Sequence, residues 1–263
     1  MRVIKFNPFN YDQFNYYKTP DALGSQLMSD RCIIITGTVI PNVKIFEPET
    51  PQIRRKQYLD VMSYYQKKFS EPIYFLENSG YDFSNDDEFN RLFENGIQLI
   101  KFPVSNKIYE GKGYQEFQMI DQFIRESSSD YSSFVKITGR YKFHNIQNLI
   151  DISHNGLVID IYRRYKWAVT NIFCSTYDFY QKYLLNLYSE VDDSHGRSIE
   201  RRIYKKISNN DLWKSIQIFP RSPIYTIPFS KRENFENWRI LLNTATNIER
   251  KIINKFSLKQ IFI

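Results

Sequence analysis

The residues that could do chemistry gather in a few short stretches, and the densest is D-Y-S-S-F-V-K-I-T-G-R-Y over 130–141. Phe134-Val135-Lys136-Ile137 is a run of β-formers that breaks at Thr138-Gly139 and sets Arg140 and Tyr141 at its tip. In an α/β domain, side chains just past the carboxyl ends of strands face the ligand crevice. An arginine there can hold a phosphate through its planar fork. Gly139 before it lets the backbone turn sharply or come close to a ligand. A plain strand and turn carrying an exposed arginine accounts for the same residues.

Three other stretches repeat the pattern of apolar run followed by small polar residues. Cys32-Ile33-Ile34-Ile35 ends in Thr36-Gly37-Thr38. Pro72 to Leu76 runs into Glu77-Asn78-Ser79-Gly80-Tyr81-Asp82, a dense set of hydrogen-bonding groups that an Asx-type turn would also use. Ile97 to Phe102 leads to Tyr109-Glu110-Gly111-Lys112-Gly113-Tyr114-Gln115-Glu116 and then a helical spacing through Ile124. A glycine-flanked lysine at a helix start can meet an anion, because backbone N–H groups and the helix dipole point the same way. The spacing is not that of a P-loop, and no G-x-G-x-x-G occurs.

The elements needed to position these stretches are legible. The run at 32–35 has the continuous apolar character of a strand buried on both faces. From Thr50 to Phe69, Ile53, Tyr58, Val61, Met62 and Tyr65 share one helical face, with Pro51 in the first turn and Arg54 and Arg55 mostly off that face. Arg55 or Arg54 can reach a nucleotide, or simply be solvated. Asp86 to Glu94 reads as a short helix, whose Asp86-Asp87 can open it in solvent or supply a metal together with Asp82. The chain up to Tyr141 therefore reads β-α-β-α-β-α-β, which implies parallel strands and right-handed crossovers. Thr36–Thr38, Asn78–Asp82, the loop to Lys112 and Thr138–Tyr141 should then converge on one edge.

The second half is less regular. Leu157 to Ile161 reads as a strand that includes Asp160, with Arg163, Arg164 and Lys166 just beyond, and Val169 to Cys174 as another. A helix should span about 176–188. In D-D-S-H-G-R-S-I-E-R-R-I-Y, over 192–204, Ser198 can cap a helix with Glu200 in its first turn and Ile199, Ile203 and Ile207 as its stripe. Residues 215–229 suggest a short strand and a Pro-rich loop. From Trp238 the spacing of Leu241, Ala245, Ile248, Ile252 and Phe256 is helical, with Arg239, Arg250 and Lys251 on other faces. That helix either packs on the domain or lies on a membrane.

Composition bounds the partners. The chain has 263 residues, 42% of them hydrophobic, which is enough for a core. Lys and Arg number 36 against 29 Asp and Glu, a net charge of +7 with a pI near 9.1. No long basic block and no nucleic-acid module accompany it. A phosphate-bearing substrate or an anionic membrane surface fits that diffuse charge at least as well as nucleic acid does. The 17% aromatic content can stack on sugars or bases, though a codon bias explains most of it. Cys32 and Cys174 match no zinc or redox spacing, and His144, His154 and His195 form no H-E-x-x-H. With no apolar leader and no apolar run long enough to span a bilayer, a reduced, cytoplasmic protein is expected, with peripheral contact at an inner membrane as an option.

Hydride transfer lacks its dinucleotide fingerprint, phosphoryl transfer its P-loop, and acyl transfer its G-x-S-x-G elbow. What remains is a crevice with cationic and hydrogen-bonding groups at strand ends, many tyrosines and a carboxylate-bearing helix. That set suits sugar transfer from a nucleotide donor, which must hold a diphosphate, neutralise it as it leaves and deprotonate an acceptor hydroxyl.

I-I-I-T-G-T, I-Y-F-L-E-N-S-G-Y-D, G-K-G-Y-Q-E and F-V-K-I-T-G-R-Y, in that order, resemble bacterial surface-polysaccharide glycosyltransferases of the GT-A-like type, the enzymes of capsule and lipopolysaccharide O-antigen assembly. The similarity spans about 31–205. It implies one GT-A-like, Rossmann-like α/β domain over 1–263, with a mostly parallel sheet flanked by helices and a helical C-terminal part. Within it, 1–30 would be an irregular extension, 31–141 the nucleotide-sugar half, 142–232 the acceptor half and 233–263 the basic amphipathic helix. Donor contacts would come from Thr36, Gly37, Thr38, Arg55, Asn78, Ser79, Tyr81, Lys112, Gly113, Glu116, Thr138, Gly139, Arg140 and Tyr141. Acceptor contacts would come from Asp160, Arg163 and Arg164.

Many such enzymes carry Asp-X-Asp at the end of the central strand, where this chain has Thr138-Gly139-Arg140. The departure puts Mn2+ or Mg2+ dependence in doubt and favours a metal-independent, inverting enzyme in which Arg140, with Lys112, neutralises the leaving group. Glu200 is the first choice of general base, with Asp193 and His195 next; a first-turn glutamate that only complements the helix dipole is the alternative. A glycan or glycolipid acceptor is implied by the resemblance alone. A nucleotidyltransferase, which would need magnesium and release pyrophosphate, and a nucleic-acid-binding protein stay open as rivals.

Overall fold

The apolar run 32–35 is the middle of the sheet because both of its sides are covered. Cys32, Ile33, Ile34 and Ile35 are all fully buried, the even-numbered pair in one core cluster and the odd-numbered pair in the other. A strand alternates its side chains between faces, so a run with no polar position needs a layer on each side. The computed structural model describes residues 4–5, 30–41, 50–107, 110–127, 130–150 and 156–229. The C-terminal helix expected from Trp238 onward lies outside the described residues.

In chain order the strands and helices are β1 (Ile4–Lys5), β2 (Arg31–Gly37), α1 (Pro51–Gln66), β3 (Ile73–Glu77), α2 (Asp87–Glu94), β4 (Ile97–Lys101), α3 (Lys112–Ser127) and β5 (Ser133–Thr138). There follow β6 (Lys142–Phe143), α4 (Ile146–Ile150), β7 (Leu157–Tyr162), β8 (Trp167–Thr176), α5 (Tyr177–Tyr183), α6 (Ile199–Asn209), β9 (Ile216–Gln217) and β10 (Tyr225–Thr226). Thr50 caps α1 by accepting the Ile53 N–H at 3.3 Å, with Pro51 at the first helical position, and Asp86 caps α2 by accepting from Phe89.

The eight-stranded sheet runs β1-β4-β3-β2-β5-β8-β7-β9. The four strands expected from the chain up to Tyr141, which are β2 to β5, lie side by side and parallel, and β8 alone runs against the rest. The α/β, mostly parallel reading therefore holds. Helices α1 and α2 cover one face with Tyr58, Val61, Met62, Phe89 and Leu92, and α3, α5 and α6 cover the other with Phe117, Ile120, Tyr180 and Ile203. β6 and β10 form a separate antiparallel pair.

Several local readings change. The N-terminal stretch read as irregular adds β1 to the sheet beside β4. The helix expected over about 176–188 stops at Tyr183, and Leu187–Glu190 is a 3-10 turn. In α6 the buried stripe is Ile199, Ile203 and Ile207 as expected, yet Ser198 at its N-cap makes no side-chain capping bond. On α1, Arg54 and Gln57 are buried with Tyr58, Val61, Met62 and Tyr65, while Ile53 is only half-buried. The buried arc of that helix is wider than its apolar stripe because one flank borders a cleft.

Candidate active site

The parallel strands β2, β3, β4 and β5 share one carboxyl edge, and a cleft of about 120 Å3 opens there. It is lined in part by Thr36, Gly37 and Thr38 after β2, Thr138 and Arg140 after β5, and Lys112 and Glu116 on α3. All of these are residues that the sequence marks, brought together from three separate stretches. Arg54, Tyr58, Pro41, Gln115 and Met119 complete the lining.

Two glycines allow this convergence by close approach within the protein. A Cβ at Gly139 would come within 2.7 Å of the Thr36 carbonyl oxygen and 2.9 Å of Tyr58, and one at Gly37 within 2.4 Å of Phe75. The sequence suggests that Gly139 turns the chain or admits a ligand; its amide instead donates to Thr36 O at 2.8 Å and docks β5 on β2.

The floor of the cleft is a charge network. Lys136 is fully buried, and its Nζ donates to Thr138 Oγ1 and the Thr170 carbonyl at 2.8 Å each and pairs with Glu116 Oε1 at 2.7 Å. Glu116 Oε1 also accepts from the hydroxyls of Thr36 and Thr138. On the other side, Glu200 accepts from Thr170 Oγ1 at 3.1 Å. Burial pushes the Lys136 ammonium down, against the Glu116 and Glu200 charges that hold it up. Burial likewise pushes the Glu200 carboxyl up, and the Glu116 charge adds to that. Glu200 does not line the cleft; it stands behind Thr170.

The wall is different. Arg54 is only 5% exposed. Its Nη2 donates to the Tyr58 hydroxyl at 3.3 Å, and its Nε is buried without a hydrogen-bond partner. Among the described residues no carboxylate pairs with it. Tyr58 in turn accepts the Thr38 N–H at 2.9 Å, and Arg140 donates to Gln57 at 3.3 Å. A buried guanidinium without a counter-charge is costly, so this wall is suited to receive an anion. Sequence reasoning set Arg54 off the apolar face and gave it no priority. The one available signal was its place one turn before Tyr58 on the same flank.

Other marked residues are placed elsewhere. Arg55 is engaged by Asp86, at 2.6 Å from both Nε and Nη2, and by Glu88, and Tyr81 also donates to Asp86 at 2.8 Å. This cluster joins α1 to α2 away from the cleft lining. It buries Asp86 to 5% exposure, so that carboxylate is neither solvated nor free for a metal. Ser79 and Val39 donate their amides to the buried Glu77 at 3.0 Å, which ties the loops after β2 and β3 together. Asn78 accepts from Thr38 Oγ1 at 2.9 Å and faces a neighbouring cavity with Phe102, Gln118, Met119 and Gln122. Tyr141 packs on Phe143 and Tyr225.

The anion position expected at the start of α3 is filled by the protein. Asp193 accepts the backbone N–H groups of Lys112 and Gly113, and a Cβ at Gly111, whose φ is +103°, would strike its carboxylate. Burial pushes the Asp193 carboxyl up against those two bonds. Asp193 thus caps α3 from a distant loop. His195 is largely exposed, and its Nδ1 pairs with Asp192 at 2.7 Å. Gly113 packs against Ile199. Asp160 is buried in β7, Arg163 lies 4.2 Å over the Trp213 ring, and Arg164 is exposed. Asp193, His195 and the three acceptor candidates are not among the cleft lining.

The place after β5 where the resemblance expects paired aspartates presents a cation, Arg140, to the cleft. Among the described residues no group of three His, Cys, Asp or Glu side chains is disposed to hold a metal. These residues do not fit a divalent cation at that position.

No protein-family model and no curated protein matches the sequence. Solved structures with a related layout include a Desulfovibrio desulfuricans G20 protein provisionally named a nucleotide-diphospho-sugar transferase, with a TM-score of 0.48 and 11% identity over 73% of this chain and 80% of that one. A cytidylyltransferase of Leptospira borgpetersenii serovar Hardjo-bovis (strain JB197) has a TM-score of 0.45 and 14% identity, over 89% and 99% of the two chains. Mouse xyloside xylosyltransferase 1, in its apo form, has 0.41 and 10%, over 71% and 83%. At these scores and identities the likeness says nothing of activity.

Proposed function

We propose that the chain is a glycosyltransferase. It moves a sugar from a nucleotide-diphosphate donor to a hydroxyl of a bacterial surface-glycan acceptor, of the capsule or O-antigen kind, with inversion and without a metal. The observation that carries this reading is Arg54: a buried guanidinium with an unsatisfied Nε, beside Arg140 and Lys112, in a cleft at the carboxyl edge of a parallel sheet. A diphosphate supplies the charge that the wall lacks, and three cations can neutralise it as it departs. Ligands of open α/β sheets sit at that edge.

In this reading the carboxylates divide the remaining work. Glu116, which lines the cleft and is held by Lys136, Thr36 and Thr138, orients the donor sugar through its hydroxyls. Glu200, whose proton affinity burial raises, stands behind Thr170 and takes the acceptor proton through the Thr170 hydroxyl: the acceptor hydroxyl gives its proton to Thr170 Oγ1 as Thr170 passes its own to Glu200. The acceptor half is assigned to 142–232 and the donor half to 31–141.

The test is a thermal-shift screen of nucleoside diphosphates and nucleotide sugars, each with EDTA and with manganese. Ligand that binds the folded state raises the melting temperature by mass action. A rise with one nucleoside diphosphate, unaltered by EDTA and lost in Arg54→Met, is expected. A rise only with manganese would return the diphosphate to a metal. Magnesium-dependent release of pyrophosphate from a nucleoside triphosphate would replace sugar transfer by nucleotidyl transfer.

A further inference from the structure

β7 and β8 form a hairpin that outruns the rest of the sheet. Ile172 of β8 is level with Ile137 near the end of β5, whereas Trp167, at the far end of β8, pairs with Tyr162 at the end of β7. At about 3.3 Å per residue the hairpin projects roughly 16 Å beyond that level, on the edge where the cleft opens.

The tip reads Tyr162-Arg163-Arg164-Tyr165-Lys166-Trp167 and contains no acidic residue. Tyr165 is 69% exposed and Tyr162 49%, and Arg164 and Lys166 are exposed with them. One side of the tip is held by Arg163, stacked over Trp213. Two further exposed apolar side chains, Ile40 and Val104, follow the carboxyl ends of β2 and β4. Most of the large hydrophobic side chains exposed among the described residues therefore belong to one edge.

We infer that this hairpin tip is a docking surface for an anionic lipid membrane. Tyrosine and tryptophan rings settle at the water–lipid boundary, and each lysine or arginine near an anionic leaflet strengthens attachment. A polynucleotide would also take the tyrosines and basic groups, but it gives Ile40 and Val104 nothing to bury against; the interface does. Among the described residues no helix is long and apolar enough to cross a membrane, so the contact is lateral. Seated on this edge, the protein turns the mouth of its cleft toward the lipid surface, where the sugar-transfer reading needs a lipid-linked acceptor.

The experiment is co-sedimentation of the whole chain with vesicles of mixed phosphatidylcholine and phosphatidylglycerol, with phosphatidylcholine alone as reference. Arg164→Gln combined with Lys166→Gln should weaken binding about 25-fold, roughly fivefold for each charge. Tyr165→Ser should weaken it further. Lys67→Gln with Lys68→Gln, an exposed basic pair beyond the C-terminus of α1, should leave it unaltered. No binding by the natural chain, equal losses from both pairs, or displacement of the vesicles by single-stranded polynucleotide would overturn the proposal. The assay needs no donor, so its failure and the failure of the sugar-transfer reading are separate events.

Discussion

Two cations are buried at the same cleft, and the fold treats them oppositely. Lys136 in the floor is enclosed by Glu116, the Thr138 hydroxyl and the Thr170 carbonyl, with Glu200 just beyond Thr170. Arg54 in the wall has, among the described residues, one neutral partner, Tyr58, and a bare Nε. A buried charge is tolerated when its partners are internal, and then it belongs to the scaffold. When the partners are missing, the charge is held ready for something that arrives. Floor and wall should therefore separate under mutation, the one in stability and the other in binding.

The largest effect should come from the floor. Lys136→Met leaves Glu116 and Glu200 facing each other without their cation, and urea unfolding should show a loss of about 4 kcal/mol. A loss below about 1 kcal/mol would erase the contrast. Next is Glu200→Gln, which should lower kcat/KM about a hundredfold with KM little altered. Because burial raises the Glu200 pKa and a base must be ionised, the proposed activity of the natural chain should fall on the acid side at a higher pH than an unburied glutamate would set. The variant should lack that limb, and an unchanged profile would move the role to Glu116.

Arg54→Met should weaken nucleoside diphosphate binding about thirtyfold by calorimetry, the worth of one charge-assisted contact of about 2 kcal/mol. Its unfolding free energy without ligand should stay level or rise, since an uncompensated charge is removed. A variant that loses stability and keeps its affinity would make the wall structural after all. The smallest effect should come from Asp193→Ala, about 1 kcal/mol of stability for a lost cap on α3. Activity should persist within a few-fold; a loss of several hundredfold would restore Asp193 as a catalytic carboxylate.

The cleft floor and the central strands that carry it differ in legibility for a physical reason. Runs such as 32–35, 73–76 and 134–137 declare buried strands by themselves, because a period-two lattice covered on both faces leaves little room for polar positions. Lys136 is the one charged residue within such a run, and it is wholly enclosed. Its partners, Glu116 on α3 and Thr170 on β8, belong to elements that precede and follow its strand, and no spacing within that strand announces them.

By itself, the sequence determined the alternation of strands and helices, the two-sided burial of the central strands, and the expectation that Thr36–Thr38, Asn78–Asp82, the loop to Lys112 and Thr138–Tyr141 converge on one edge; of these, Thr36–Thr38, Lys112, Thr138 and Arg140 line the cleft. Those follow from local periodicity and from the rule that parallel strands end on the same side. Only the tertiary structure decided that Arg54 is buried in the cleft, that Arg55 and Tyr81 are spent on Asp86, that Asp193 caps α3, and that the β7–β8 hairpin reaches past the cleft edge. In each case the deciding partner is remote in the chain or is a shift of register between strands, and no local spacing encodes the pairing of a side chain with a distant backbone.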